Sequence, residues 1–173
     1  MKKLILLLAL LFATVTNSQS QNSKRIPCST KEYKQFDFWV GNWNVYNTKN
    51  KLIGTNKVVK MPNACAIQEN WSSTSSPSKG TSYNYYNAKD KTWNQLWIDN
   101  SGGSLVLKGS YTNNQMILKS SLQQGKNGKF YNKLTFTKNN DGSVTQVWEL
   151  RDNNNTLIKE LFRGIYKKNN NAK

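Results

Sequence analysis

Three polar residues that could do chemistry each stand two positions before a tryptophan. The pairs are Glu69 and Trp71, Gln95 and Trp97, and Gln146 and Trp148. Because side chains alternate between the two faces of a β-strand, each polar group shares a face with its tryptophan. Burying such groups unpaired is costly, whereas a ligand or water in a cavity satisfies them. The pattern predicts an interior cavity with aromatic walls. The alternative is that these faces point outward and their polar groups are simply hydrated.

Glu69 is the candidate for acid–base chemistry in this pattern. A carboxyl group among aromatic rings has its pKa raised by loss of hydration, which suits a general base at neutral pH. Tyr86 or Asp99 would be its partner. No nucleophile–base pair and no metal-ligand spacing accompanies it. We therefore expect binding without catalysis, and an isomerase or cyclase using Glu69 is the less favoured alternative.

The chain contains no histidine among its 173 residues. This absence excludes a Ser-His-Asp or Cys-His catalytic pair, a His-ligated haem and a His-containing zinc site. The two cysteines lie far apart in the sequence and offer no metal site of their own. We therefore expect no haem, no zinc and no other cofactor.

Basic residues far outnumber acidic ones, with 25 Lys and Arg against 9 Asp and Glu and a net charge of +16. This excess fits either an acidic partner, such as nucleic acid, an anionic glycan or a lipid surface, or a solvated surface that maintains solubility. The lysines are scattered singly, and the closest groupings are Lys24-Arg25 and Lys167-Lys168. Because no basic stripe or RNA-binding motif is present, we favour the solvated surface and expect no nucleic-acid partner.

The first 18 residues have the layout of a cleavable secretory signal peptide. Lys2 and Lys3 precede an apolar run, Leu4–Phe12, which small and polar residues follow. The run is far shorter than the ~20 residues that span a bilayer. We expect an exported protein, periplasmic or secreted, with no stable membrane insertion after cleavage. An uncleaved anchor is the alternative.

The remaining chain is short enough for one domain, predicted over residues 28–168 between a loose segment, 19–27, and a polar tail, 169–173. Asn, Gly and Asp clusters recur about every 10–12 residues between runs of β-forming residues, and Asp141-Gly142 is the sharpest hairpin signal. The predicted strands are Trp39–Tyr46, Leu52–Lys60, Ala64–Ser72, Thr81–Tyr86, Thr92–Asp99, Ser104–Tyr111, Gln115–Leu122, Phe130–Thr137, Val144–Arg151 and Thr156–Lys167.

Connections between these ten strands are too short for crossover helices, so the sheet is predicted to be antiparallel. An all-β, up-and-down barrel removes exposed strand edges and is the favoured architecture, with a two-sheet sandwich as the alternative. A short helical turn is predicted over Thr30–Gln35, capped by Ser29 with Glu32 three residues later. In an exported chain Cys28 and Cys65 are expected to form a disulfide rather than two buried free thiols.

The segment Phe36–Val45 resembles the FDFW-x-G-x-W opening of a group of small exported bacterial proteins related to the calycin-like β-barrels. Its Gly41-Asn42-Trp43 also matches the G-x-W that begins the first strand of lipocalins. Later segments fit the same group, so the likeness covers about residues 28–168. Those segments are Cys65-x-Ile67-x-Glu69-x-Trp71, Gly80-x-Ser82-x-Asn84-x-Tyr86, Trp93-x-Gln95-x-Trp97-Ile98-Asp99-Asn100, Gln146-x-Trp148-Glu149 and Phe162-Arg163-Gly164-x-Tyr166.

The resemblance implies a closed barrel and adds residues to the predicted site. It places Asn84 and Tyr86 on the inner face, although Tyr83 and Tyr85 compete for that phase. It also implies a structural cation–π contact between Arg163 and Trp43 near the closed end of the barrel, and a structural role for Gly41. The predicted ligand is a small amphipathic or aromatic molecule held inside the barrel. A structural or interaction protein with a filled barrel is the alternative.

Overall fold

Alternating apolar and polar residues form a closed ring of antiparallel strands in the computed structural model, which describes residues 26–126 and 128–170. The strands are β1 (Gly41–Tyr46), β2 (Leu52–Lys60), β3 (Ala66–Ser73), β4 (Lys79–Asn87), β5 (Thr92–Asp99), β6 (Ser104–Thr112), β7 (Gln115–Lys119), β8 (Gln123–Gly125), β9 (Gly128–Lys138), β10 (Val144–Asp152) and β11 (Leu157–Lys168). Ten of these described strands follow one another around the ring, and β1 closes it by pairing with β11. The prediction of an up-and-down barrel is confirmed.

Several predicted elements differ from the observed ones. The third predicted strand, Ala64–Ser72, begins instead at Ala66, because Ala64 belongs to the short helix before it. The seventh predicted strand, Gln115–Leu122, ends at Lys119, and the chain then forms the three-residue β8, which pairs with β9 alone.

A tight hairpin turn lies at Asn113 and Asn114, and not at Asp141-Gly142, where the sequence signal was sharpest. Both asparagines have positive φ angles, of 47° and 61°. That geometry matches the right-handed twist of the flanking strands. At Asp141-Gly142 only Gly142 has a positive φ, of 81°, within a longer loop.

The N-terminal segment of the described chain closes one end of the barrel. We call residues 28–39 the plug; it contains the 3₁₀ helices η1 (Lys31–Lys34) and η2 (Asp37–Trp39). Phe36 and Trp39 are fully buried, and their rings stack at 4.9 Å between centroids. The predicted strand start at Trp39 is therefore wrong, because this residue belongs to η2 and fills the barrel interior.

The start of η1 also differs from the prediction. Thr30, and not Ser29, precedes the helix, and its side chain makes no capping hydrogen bond. The Ser29 hydroxyl donates to the carbonyl of Ile26 at 2.8 Å, while the Thr30 hydroxyl donates to Glu32. The capping pair is absent because Ser29 lies one residue too early for the helix that forms.

A disulfide joins Cys28 to Cys65, as predicted, with 5.1 Å between the two Cα atoms. Cys65 follows the single-turn helix η3 (Pro62–Ala64), directly before β3. The bond therefore fixes the start of the plug to the barrel wall, and it indicates an oxidising environment outside the cytosol.

Residues 1–25 and 171–173, including the predicted signal peptide, lie outside the described residues. Among the helices of the described chain, none has the length and apolar character to span a bilayer.

Lys168, and not Arg163, contacts the tryptophan of the G-x-W motif. Trp43 pairs with Lys168 across β1 and β11, and the lysine Nζ lies 4.0 Å from the centre of the indole ring. The same Nζ donates a hydrogen bond to the Val40 carbonyl at 2.7 Å. Arg163 lies five residues earlier, which puts it on the opposite face of the strand, where it pairs with Glu160. The prediction for Arg163 is wrong.

Gly41 has a structural role next to this contact. Its φ angle of +148° is one that other residues rarely adopt, and an added β-carbon would lie 2.3 Å from the Lys168 Nζ. Only glycine leaves room there for the lysine to reach Trp43 and the Val40 carbonyl.

Candidate functional site

A layer of polar side chains crosses the barrel interior above the plug, with Glu69 at its centre. The Glu69 side chain is only 4% exposed. Its carboxylate accepts a hydrogen bond from the Asn56 amide of β2 at 2.7 Å and one from the Ser82 hydroxyl of β4 at 2.6 Å. Ser82 lies directly opposite Glu69 in the β3–β4 register, so the two neighbouring strands bring donors to both carboxylate oxygens.

The polar layer continues along β4 and β5. The Asn84 amide donates to the Ser82 hydroxyl at 2.9 Å and to the Ile67 carbonyl at 3.3 Å. Its oxygen accepts from the Gln95 amide nitrogen at 2.8 Å. The Gln95 amide oxygen is buried and has no hydrogen-bond partner among the described residues. This oxygen is an acceptor that a bound molecule could use.

Burial raises the pKa of Glu69 to about 7, against the opposing effect of the hydrogen bonds from Ser82 and Asn56. The hydrogen-bond partners of Glu69 are Ser82 and Asn56, and not Tyr86 or Asp99, which the sequence suggested. Across the barrel, Tyr166 of β11 donates a hydrogen bond to the Gln146 amide oxygen. Burial and the nearby Glu69 charge raise the pKa of Tyr166 well above its usual value.

A cavity of about 410 Å³ lies beyond this layer, at the end of the barrel opposite the plug. Its floor is polar and includes Glu69, Gln95 and Gln146. Large apolar side chains form its walls, namely Trp71, Trp97, Leu105, Leu134, Trp148 and Phe162. Serines of the β3–β4 loop, Ser75, Ser76 and Ser78, line its mouth.

The structure brings six of the eight predicted ligand-binding residues to this cavity. They are Glu69, Trp71, Gln95, Trp97, Gln146 and Trp148. Asn84 faces inward as expected but lies one layer deeper, where it positions Gln95. Tyr86 also has the predicted phase, but it packs against Tyr33 of the plug, with 5.2 Å between ring centroids. Asn84 and Tyr86 are therefore not among the residues that line the cavity.

Sequence reasoning missed several lining residues. Leu134 and Leu105 alternate correctly in their strands, but apolar residues at such positions look like ordinary core. The serine-rich loop was interpreted only as a turn. Leu161 reaches the cavity because it is the extra residue of a β-bulge, where Trp148 pairs with Phe162 but Glu149 pairs with Glu160.

Two glycines leave room for tryptophan rings beside the strand backbone. A β-carbon added at Gly54 would lie 2.2 Å from the Trp71 ring, and one at Gly80 would lie 2.2 Å from the Trp97 ring. Each ring thus occupies the space that a side chain of a neighbouring strand would fill. The volume at the centre of the barrel stays open as a result.

Replacing Gly54 with Ala is expected to narrow the cavity. The three nearest atoms to the added carbon all belong to the Trp71 ring, so the ring must leave the wall and move toward the lumen. We expect the affinity for a neutral aromatic dye, N-phenyl-1-naphthylamine, to fall by about tenfold, equivalent to 1.4 kcal/mol. Dye fluorescence on titration measures the dissociation constant.

A double-mutant cycle provides the control for this prediction. If the substitution acts through the indole ring, Gly54→Ala has no further effect in a Trp71→Ala background. An equal loss of affinity in both backgrounds would instead place the effect in the β2 backbone.

In the described parts of the chain, no group of three or more His, Cys, Asp or Glu side chains is placed to hold a metal ion.

The fold and the site together define a ten-stranded antiparallel β-barrel, closed by a plug at one end and open at the other over a polar floor. No protein-family model matches the chain, and no curated protein matches it significantly.

Proposed function

We propose that this barrel binds a small amphipathic molecule with a flat, apolar or aromatic body, and that it catalyses no reaction on it. The open volume of about 410 Å³ carries this proposal. It falls in the usual size range of small-molecule pockets and combines apolar walls with a few convergent polar groups. A filled barrel would instead have side chains in that space.

Two further expectations belong to this proposal. The likeness of the Phe36–Val45 segment to calycin-like barrels favours ligand binding, since that fold commonly encloses a ligand. The N-terminal residues 1–18 and the Cys28–Cys65 disulfide favour a protein that is exported through a signal peptide and works in the periplasm or outside the cell.

Glu69 provides the one observation that favours a second candidate function. A pKa of about 7 on the floor of a cavity suits a general base in an isomerase or cyclase. Both carboxylate oxygens already accept hydrogen bonds, and the Ser82 hydroxyl that donates one of them is fully buried and is not among the residues that line the cavity. Binding alone is therefore the better supported function.

Native mass spectrometry of the protein purified from its own host tests the proposal directly. We expect a population carrying one small molecule, which is released on denaturation and then identified by its mass. A protein that is ligand-free in this experiment and also fails to bind N-phenyl-1-naphthylamine would contradict the proposal. The filled-barrel alternative would then take its place.

Replacing Trp97 with Ala is expected to weaken binding of the same dye by at least about tenfold, because the ring forms part of the cavity wall. Dye titration measures the effect. The matched control is Lys108→Ala, since Lys108 points outward from the neighbouring strand and pairs with Asp90 at 2.6 Å. Equal affinities of the Trp97→Ala and Lys108→Ala proteins would show that the dye binds elsewhere.

A further inference from the structure

The charge of the cavity is opposite to the charge of the protein. The chain carries 25 basic and 9 acidic residues, yet the charged side chains among the described residues that line the cavity are Glu69 and Asp99. No lysine or arginine of the described chain joins them. Basic residues of the wall strands, such as Lys57 and Lys108, occupy outward positions of the alternation. The interior is thus negative inside a strongly positive shell.

The part of the floor around Glu69 and Gln95 also presents hydrogen-bond acceptors. The Asn84 amide nitrogen donates to the Ile67 carbonyl, which turns the Asn84 oxygen toward Gln95. Gln95 must therefore offer its nitrogen to Asn84, and its own oxygen remains without a partner among the described residues. The backbone of β3 fixes the orientation of both amides, so the free atom is an acceptor.

The neighbouring groups on the floor are of both kinds. Gln146 accepts through its amide oxygen from Tyr166, which leaves the Gln146 amide nitrogen as a donor beside the acceptors. The carboxylate of Glu69 can accept more than the two hydrogen bonds it receives, because each oxygen has two lone pairs. A molecule that binds to Glu69 and to the Gln95 oxygen must bring its own donors.

The aromatic walls favour the same kind of ligand. The faces of indole rings carry partial negative charge and attract cations, and tryptophan does so most strongly of the aromatic residues. Trp71, Trp97 and Trp148 all line the cavity. Flat apolar groups can also stack against these rings.

We infer that the cavity selects a ligand with a primary or secondary ammonium group, which donates to Glu69 and Gln95, joined to a flat apolar body that packs against the tryptophans. This inference rests on the proposed binding function and names the chemical class of the ligand. The carboxylate of Asp99 at the mouth adds to the attraction for a cation.

Three probes with the same ring system and different head groups test the inference. They are 2-naphthylmethylamine, which is a cation at about pH 8, the neutral 2-naphthylmethanol, and the anionic 2-naphthoate. Isothermal titration calorimetry at that pH, where Glu69 is ionised, is expected to show the amine binding at least about tenfold more tightly than the alcohol, and the carboxylate binding most weakly. Nonspecific attraction to the basic surface would give the reverse order.

Glu69→Gln is the decisive variant because it removes the charge and keeps the size of the side chain. We expect it to reduce amine affinity to that of the alcohol and to change alcohol affinity by less than about twofold. Glu160→Gln is the matched control, since Glu160 lies outside the barrel in an ion pair with Arg163. It should leave the selectivity intact.

Asp99→Asn serves as a second variant should Glu69→Gln fail to fold. The Asp99 oxygen that accepts from the Ser101 and Gly103 backbone amides remains in the asparagine, so the loop is preserved while a charge is lost. Amine affinity should fall by several-fold and alcohol affinity should stay constant.

The outcomes separate this inference from the proposed function. Binding of the alcohol or the carboxylate as tightly as the amine would overturn the inference and leave the binding function intact. Selectivity that survives both Glu69→Gln and Asp99→Asn would also overturn it. Failure of all three probes, together with a ligand-free protein in native mass spectrometry, would overturn both.

Discussion

Replacing Cys28 and Cys65 together with Ser is expected to lower the free energy of unfolding by about 3–4 kcal/mol. The disulfide closes a loop between residues separated by 37 positions, and its loss restores conformational entropy to the unfolded chain. Urea denaturation followed by tryptophan fluorescence measures the difference from the wild-type protein. Chemical reduction of the wild-type disulfide should reproduce the effect.

The same substitution is expected to loosen the plug before the barrel. The plug is otherwise held by the buried rings of Phe36 and Trp39 and by side-chain contacts such as that between Lys60 and Asp37. Limited proteolysis of the variant should cut within residues 28–39 while β1 to β11 remain intact. A loss of stability below about 1 kcal/mol would show that packing of the two rings is sufficient to hold the plug.

The stability of the protein is expected to fall as the pH rises from about 5 to 8, and Glu69→Gln should remove most of this dependence. The folded pKa of Glu69, about 7, lies above its ordinary value of 4.5. The folded state therefore binds the proton more tightly than the unfolded state does. Its stabilising effect is fully present below about pH 4.5 and is lost as the pH rises through 7; the loss amounts to roughly 3 kcal/mol.

Because the chain has no histidine, few other side chains change their charge between pH 5 and 8. Free cysteine is the other side-chain type with an ordinary pKa near this range, and both cysteines are in the disulfide. Tyr166 is the titratable group that faces Glu69 across the barrel, and its pKa is raised away from neutral pH. Asn56, Ser82 and Gln95, which surround the carboxylate, do not titrate. Denaturation at pH 5 and pH 8 of the wild type, Glu69→Gln and the surface control Glu160→Gln measures the effect. Parallel pH profiles for the first two proteins would contradict it.

The strand pattern could be predicted from sequence because turns and alternation are local properties. Asn113-Asn114 and the other turn clusters mark where strands end, and the period of two marks which face is buried. The β-bulge at Leu161 could not be predicted in this way. An extra residue in one strand is defined only by its partner strand, here by the pairing of Trp148 with Phe162 and of Glu149 with Glu160.

For the candidate site, the sequence predicts on which face of its strand a side chain lies, but not how high along the barrel axis it lies. Alternation placed Glu69 and Gln95 on the inner face, and the resemblance placed Tyr86 there; all three lie on that face. The sequence could not tell that Tyr86 lies at the plug end, because the height of a residue in a barrel depends on the stagger between tilted strands. The predicted contact of Arg163 with Trp43 was wrong for a related reason, since β11 pairs with β1 in a register that places Lys168 beside Trp43.

The pairing of β1 with β11 also governs how the chain can reach its native state. Trp43 and Lys168 are neighbours in space although almost the whole barrel separates them in sequence. Contacts between residues so far apart form late and slow the overall reaction, because the intervening chain must first be ordered. During synthesis, β1 and β10 present open edges until residues 157–168 emerge, and such edges invite pairing with other chains. Pairing of β11 with β10 and β1 is therefore the step that both closes the ring and protects the strand edges from aggregation.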